Sequence, residues 1–192
     1  MPELNEARIL FELRRRLSSG RYRHTLAVAD LAERLARRHG VDPHEARLAG
    51  LLHDWAKELS GARLAAYVKR HRVRVPLVGF IKRHAPHLLH GYVSAHMVSR
   101  RLGVRNSRIL AAIAHHTLGR LKMSPLEKVL YVADLASPDR EFAEAGRVRS
   151  LARRDLESAF REAVKTKIHY VTSQDGVLHP LTVDLWNHVC KN

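Results

Sequence analysis

With 192 residues and a single cysteine, Cys190, the chain is long enough to bury one core without covalent staples, and an intramolecular disulfide is excluded. It shows no charged-then-apolar leader and no apolar run of bilayer-spanning length, so a soluble cytoplasmic protein with no membrane partner is expected. The formal net charge of +15 favours polyanionic partners such as nucleotides, RNA or acidic headgroups, although runs such as Arg14-Arg15-Arg16 and Arg37-Arg38 read mainly as solvated helix faces.

Apolar residues recur at helical spacing along nearly the whole chain and no useful period-two run is found, so the fold class is all-α. A first helix is predicted over about Glu3 to Leu17, closed by Ser18-Ser19-Gly20, and a second from about Tyr22 to Arg38, stopped at Gly40. Asp42-Pro43-His44-Glu45 starts the third: Asp42 caps, Pro43 takes the first helical position and Glu45 completes a capping box. Shorter helices are expected near Gly61 to His71, Gly91 to Leu102 and Ser107 to His116, between breaks at Val75-Pro76, Ala85-Pro86 and Gly103. Ser124-Pro125-Leu126-Glu127 repeats the start signal, and Ser137-Pro138-Asp139 ends that helix. After a loop around Glu141 to Gly146, one long helix is predicted to about Ser173. Asp175-Gly176 then turns the chain, and a last short helix follows Pro180. No repeat and no Gly- or Ser-rich linker marks a boundary, so residues 1–192 are expected to form one domain, a helical bundle with a C-terminal helical extension.

The chemistry is carried by polar residues that interrupt apolar runs. His53-Asp54, in Leu51-Leu52-His53-Asp54-Trp55-Ala56-Lys57, places an imidazole beside a carboxylate, two groups that can hold one cation together. His24 continues the stripe Val28, Leu31, Leu35, and Asp134 lies over Leu130 and Tyr131. His53 shares its face with Ala46, Ala49 and Ala56, whose small side chains let another helix approach. Any one of these alone reads as a core histidine bonded to a carbonyl, or as a capping aspartate. Four inward polar groups together need a common satisfier, and a metal ion serves.

Fourteen histidines are present, several of them between His84 and His116. His90 precedes a helix whose amides could face an anion, which makes it a phosphate contact, a second-metal ligand or a simple cap. Of the neighbouring pair, His116 continues the apolar stripe Ile109, Ala112, Ile113, whereas His115 lies over Arg108, Ala111 and Ala112. His116 is therefore the one expected to point inward. Lys57 shares a face with His53 and Asp54 and can offset phosphate charge.

These residues sit in motifs that resemble the YqeK family of HD-domain proteins: Arg-Tyr-Arg-His24-Thr, Leu-Leu-His53-Asp54-Trp-Ala-Lys57, Leu-Leu-His90-Gly, His116-Thr-Leu-Gly119-Arg120 and Tyr-Val-Ala-Asp134. The resemblance spans about residues 20–170. It implies an HD-type domain that binds iron and cuts diadenosine tetraphosphate symmetrically into two ADP. It assigns His24, His53, Asp54 and Asp134 to the metal, with Asp54, Lys57 and His116 as the catalytic set. Lys57, His90, His116 and Arg140 become contacts to the dinucleoside polyphosphate, and His90 and His116 can also take a second ion. Manganese or cobalt are alternatives to iron, and a homodimer is an open expectation. Two rival functions stay beside this one. The first is an HD phosphohydrolase acting on a nucleoside monophosphate or an alarmone. The second is a nucleotide-sensing or RNA-binding protein, for which the positive charge speaks.

Overall fold

The computed structural model describes residues 5–191, and among them the chain is helical with no strand. In order these are α1 (Glu6–Arg16), α2 (Ser19–Arg38), α3 (Pro43–Leu52), α4 (Gly61–His71), α5 (Val78–His84) and a 3-10 turn (Pro86–Leu89). There follow α6 (His90–Leu102), α7 (Ser107–His115), α8 (Pro125–Ala136), α9 (Ala143–Ala152), α10 (Leu156–Ser173) and α11 (Pro180–Lys191). No helix among the described residues is long and apolar enough to cross a membrane. The expected start of the first helix at Glu3 lies outside the described residues.

Side-chain caps set most of the starts. Asn5, Asp42, Ser60, Asn106, Ser124 and Asp155 each accept a hydrogen bond from an amide of the first turn, contacts that typically stabilise a helix by about 1 kcal/mol. Ser124 and Glu127 form the full reciprocal capping box. At Asp42 the expected box is absent, because the Glu45 carboxylate turns instead to Asn106 at 2.7 Å and to Arg108.

Three further expectations are corrected. Ser18-Ser19-Gly20 does not merely close the first helix, since Ser19 and Gly20 already belong to α2. The single long helix before Ser173 is two helices, α9 and α10. Asp155 breaks it by bonding the amides of Glu157 and Ser158, so its side chain competes with helix continuation. α5 was not expected at all: it is seven residues long, contains Gly79 and starts from Leu77 in a left-handed conformation without a capping bond.

The core forms where α2 meets α3 and α8, with α7, α9 and α10 packed on α8. Val28, Leu31 and Leu35 of α2, Leu51 and Leu52 of α3, and the fully buried Val129, Leu130 and Val132 of α8 belong to this one buried cluster. Each fully buried side chain of this size contributes roughly 1.5–3 kcal/mol of transfer free energy. The α2–α3 contact is close enough that a Cβ on Gly50 would stand 2.6 Å from the Ala29 Cα. This intimacy brings His24 of α2 beside the end of α3.

Candidate active site

Helix ends assemble the site. His24 comes from α2 and Asp134 from the last turns of α8, while His53 and Asp54 stand where α3 ends. There the chain passes into tighter turns, with Trp55, Lys57 and Leu59 amides bonded to the carbonyls three residues back. Ser94 of α6 accepts the Ala56 amide at 2.9 Å and ties this turn to the neighbouring helix. His90 opens α6 and His116 caps α7. α6 can approach the end of α7 because residue 91 is glycine: a Cβ there would stand 2.9 Å from the Ala114 carbonyl oxygen.

Backbone carbonyls set the imidazole tautomers. His53 Nδ1 lies 2.7 Å from the Gly50 oxygen, His90 Nδ1 2.7 Å from the His87 oxygen, and His116 Nδ1 2.8 Å from the Ile113 oxygen. A carbonyl only accepts, so each Nδ1 carries the hydrogen, and in the neutral tautomer this leaves the lone pair of Nε2 facing the site. His24 is held differently, with Nδ1 2.8 Å from the Asp139 carboxylate and Nε2 3.3 Å from Asp134 Oδ1.

The result is a crowd of acceptors. His53 Nε2 is buried without a hydrogen-bond partner and stands 3.7 Å from Asp54 Oδ2 and 3.9 Å from Asp134 Oδ1. These separations exceed a hydrogen bond. They match neighbouring ligands about 3 to 4 Å apart on a cation whose own bonds are about 2.1 Å. Asp54 Oδ1, also without a hydrogen bond, lies 3.1 Å from His90 Nε2 and 3.6 Å from His116 Nε2. Two ligand sets follow, His24 with His53 and Asp134, and His53 with Asp54 and His116, the donor atoms of each within 4.8 Å of one another. The residues fit a cation, and a carboxylate-bonded His24 is the outer-shell arrangement expected around one.

Electrostatics keep His53, His116, Asp54 and Asp134 in ligand form. Burial lowers His53, the nearby Asp54 and Asp134 only partly opposing it, and burial brings His116 down to about 4, so both rings are neutral at neutral pH. Asp54 is held well below the usual carboxylate range despite its burial. Asp134 behaves likewise: burial is overcome by His24 and Lys167.

Cations face this cluster. Lys57 Nζ is 3.1 Å from His90 Nε2 and 3.6 Å from Asp54 Oδ1, and an Arg140 guanidinium nitrogen is 3.7 Å from Asp134 Oδ1. Every residue singled out from the sequence, namely His24, His53, Asp54, Lys57, His90, His116, Asp134 and Arg140, is brought to this one place. His115 is not: it turns away to Glu127 Oε1 at 2.9 Å.

Sequence reasoning missed four contributors. Asp139 bonds His24, although it had read only as part of a helix stop. Lys167 of α10 reaches Asp134 Oδ2 at 3.6 Å and donates to the His116 carbonyl at 2.8 Å, with its ammonium 3.7 Å above the Tyr131 ring. Burial brings this lysine down to about 8 even beside Asp134. Thr117 Oγ1 is 3.0 Å from His116 Nε2. Arg149 of α9 donates to the carbonyls of Ala136, Ser137 and Arg140, fixing the segment that carries Asp139 and Arg140. Only the inward stripe of α10 hinted at Lys167, and the flanking apolar residues do not distinguish it from a solvated lysine.

A cleft of about 660 Å³ opens onto the cluster, lined by Arg21, Lys57, Asp134, Arg140 and Lys167 among others. That size suits a nucleotide-class ligand, and its charge suits an anionic one.

Comparison with known proteins agrees with this geometry. Residues 21–139 match the HD domain model, a stretch that includes His24, His53, Asp54, His90, His116, Asp134 and Asp139. The symmetrical bis(5′-nucleosyl)-tetraphosphatase of Bacillus subtilis is 34% identical over 96% of this chain and 97% of its own. Its namesake from Halalkalibacterium halodurans is 28% identical over 97% of each. A crystal structure from Clostridium acetobutylicum, described as a predicted HD superfamily hydrolase involved in NAD metabolism, superposes with a TM-score of 0.91 at 33% identity, covering 97% of both chains. The chain thus belongs to the HD domain family and, within it, to the YqeK-like symmetrical bis(5′-nucleosyl)-tetraphosphatases.

Proposed function

We propose that the protein is a metal-dependent phosphoanhydride hydrolase that divides a dinucleoside tetraphosphate at its centre, diadenosine tetraphosphate giving two ADP. The observation that carries the reading is the convergence of acceptor-only groups, His53 Nε2 and Asp54 Oδ1 foremost, beside Lys57, Arg140 and Lys167 in one cleft. The acceptors suit a divalent cation, and the ammonium and guanidinium groups suit a polyphosphate. Two relatives of nearly the same length carry this activity in their names.

His24, His53, Asp54 and Asp134 are assigned to the cation, with His90 and His116 available to a second. Imidazole with carboxylate suits iron, the metal implied by the family resemblance, and manganese and cobalt accept the same donors. When bound, the cation supplies Lewis acidity, making a water more acidic and neutralising phosphoryl oxygens. Asp54, held ionised, accepts a hydrogen bond from the attacking water and aims it. His90 and His116 present acceptor nitrogens, so in the neutral state they take hydrogens from water rather than donate to phosphate. The phosphoryl oxygens and the departing diphosphate fall to Lys57, Arg140 and Lys167, which stabilise the charge that grows as the bond breaks. Attack at the second phosphate from one nucleoside leaves a diphosphate on each side.

Metal content of anaerobically purified protein and product analysis test this together. Asp54→Ala is expected to lose metal and turnover in parallel, and the wild type to form ADP alone. Equal amounts of ATP and AMP overturn the symmetric reading, and full metal stoichiometry in both Asp54→Ala and His53→Ala overturns the ligand assignment.

A further inference from the structure

The cleft has a second end that the phosphate chemistry does not use. From Asp134 and Lys167 it continues along α10 past Thr166 and His169 to Tyr170 and Ser173, and Phe142 and Glu144, at the start of α9, also line it. Thr166, Tyr170 and Ser173 recur at steps of four and three and so share one face of α10. Tyr170 stands three residues beyond Lys167, about 4.5 Å further along the helix axis, and Ser173 about 9 Å. A ligand with its phosphates at Lys167 therefore extends its other end toward these residues.

Exposed aromatic rings are scarce in this chain. Among the described residues only Phe11, Phe142 and Tyr170 are exposed Phe, Tyr or Trp side chains, the last two by 43% and 69%. Phe11 lies beneath the Arg15 guanidinium at 5.5 Å, which accounts for it locally. The other two line the same cleft, whose inner end is cationic. An isolated exposed ring needs no explanation. Two rings on one cavity, next to ammonium and guanidinium groups, match the needs of a ligand with a flat apolar end and an anionic end.

We propose that Phe142 and Tyr170 form a stacking subsite for the nucleobase of one nucleoside diphosphate half of the substrate, while Lys57, Arg140 and Lys167 receive the phosphates of that half. This rests on the proposed hydrolysis of dinucleoside polyphosphates and extends it to the recognition of the nucleoside. Glu144 in the same cavity offers an acceptor to an amino hydrogen on the base. The rings touch no reacting atom, so they act on binding and positioning.

The test compares ADP with inorganic diphosphate, probes that share the phosphates and differ in the nucleoside. Binding of each to the metal-loaded protein is measured by calorimetry for the wild type, Phe142→Ala/Tyr170→Ala, and Phe142→Tyr/Tyr170→Phe. The alanine pair is expected to weaken ADP about 10-fold or more, to leave diphosphate unchanged, and to raise KM for diadenosine tetraphosphate more than it lowers kcat. The aromatic exchange should retain wild-type ADP affinity. Unchanged ADP affinity in the alanine pair overturns the subsite, as does an equal loss for ADP and diphosphate, or a wild type that does not prefer ADP. Since binding is read without turnover, a wild type that binds ADP but fails to hydrolyse diadenosine tetraphosphate overturns the proposed reaction and leaves the subsite to be judged by the binding comparison.

Discussion

His115 and His116 differ by one position and by everything else. Consecutive helical residues point about 100° apart, so the ring that follows Ile109, Ala112 and Ile113 enters the cluster while its neighbour meets Glu127 at 2.9 Å. Alanine at His116 is expected to cost about 100-fold or more in kcat, the usual effect of losing a group that handles a proton. Alanine at His115 should leave kcat near wild type and instead lower the melting temperature, because it unpairs one side of a buried carboxylate at a cost of about 1–3 kcal/mol. Metal-saturated kinetics with thermal melts on both variants separates the two roles. A larger kcat loss in His115→Ala than in His116→Ala overturns this division. Spacing alone marks His116 as the inward histidine. The same reasoning could not find Asp139, whose value lies in reaching His24 from a segment more than a hundred positions away.

At the scale of elements, the start of α8 is tied to the end of α7 through Glu127. Its carboxylate closes the capping box with Ser124 at 2.8 Å, receives Arg120 at 2.7 and 3.0 Å, and meets His115. Burial would raise the Glu127 pKa, but these partners overcome it and hold the group well below its ordinary 4.5. A carboxyl depressed on folding contributes stability that is fully present above the ordinary value and lost as pH falls toward the folded one. Melting temperature of the wild type is therefore expected to fall with pH below about 4.5, and more gently in Glu127→Gln, which has no such charge to lose. Parallel pH profiles for the two proteins would contradict it. The box itself was legible, since Ser-Pro-Leu-Glu states its own geometry within four residues. The break between α9 and α10 was not, because helix-compatible residues flank Asp155 and only its capping bonds reveal the stop.

For the whole molecule, the cation links binding to stability. A ligand held by the folded chain at about a hundredfold its Kd adds about 2.7 kcal/mol. For a protein of this size that is about 5–10 °C in melting temperature. Chelation is expected to lower the melting temperature by this amount and re-addition of metal to restore it, with no response in Asp54→Ala. A chelator-insensitive wild type shown to contain metal would mean that its loss is not coupled to folding. The excess of positive charge is a property of the surface at large, whereas Lys57, Arg140 and Lys167 are the part that faces the cluster. The amino-acid sequence by itself determined the helical class, most helix starts and the inward polar residues His24, His53, Asp54, His116 and Asp134, because period and capping act over a few residues, whereas it left His90 open between a ligand and a cap. Only the tertiary structure decided that Lys167 and Asp139 join them, that backbone carbonyls turn three Nε2 atoms to one point, and that Phe142 and Tyr170 share a cleft. These depend on the docking of distant helices, and no local pattern encodes which side chain then meets which.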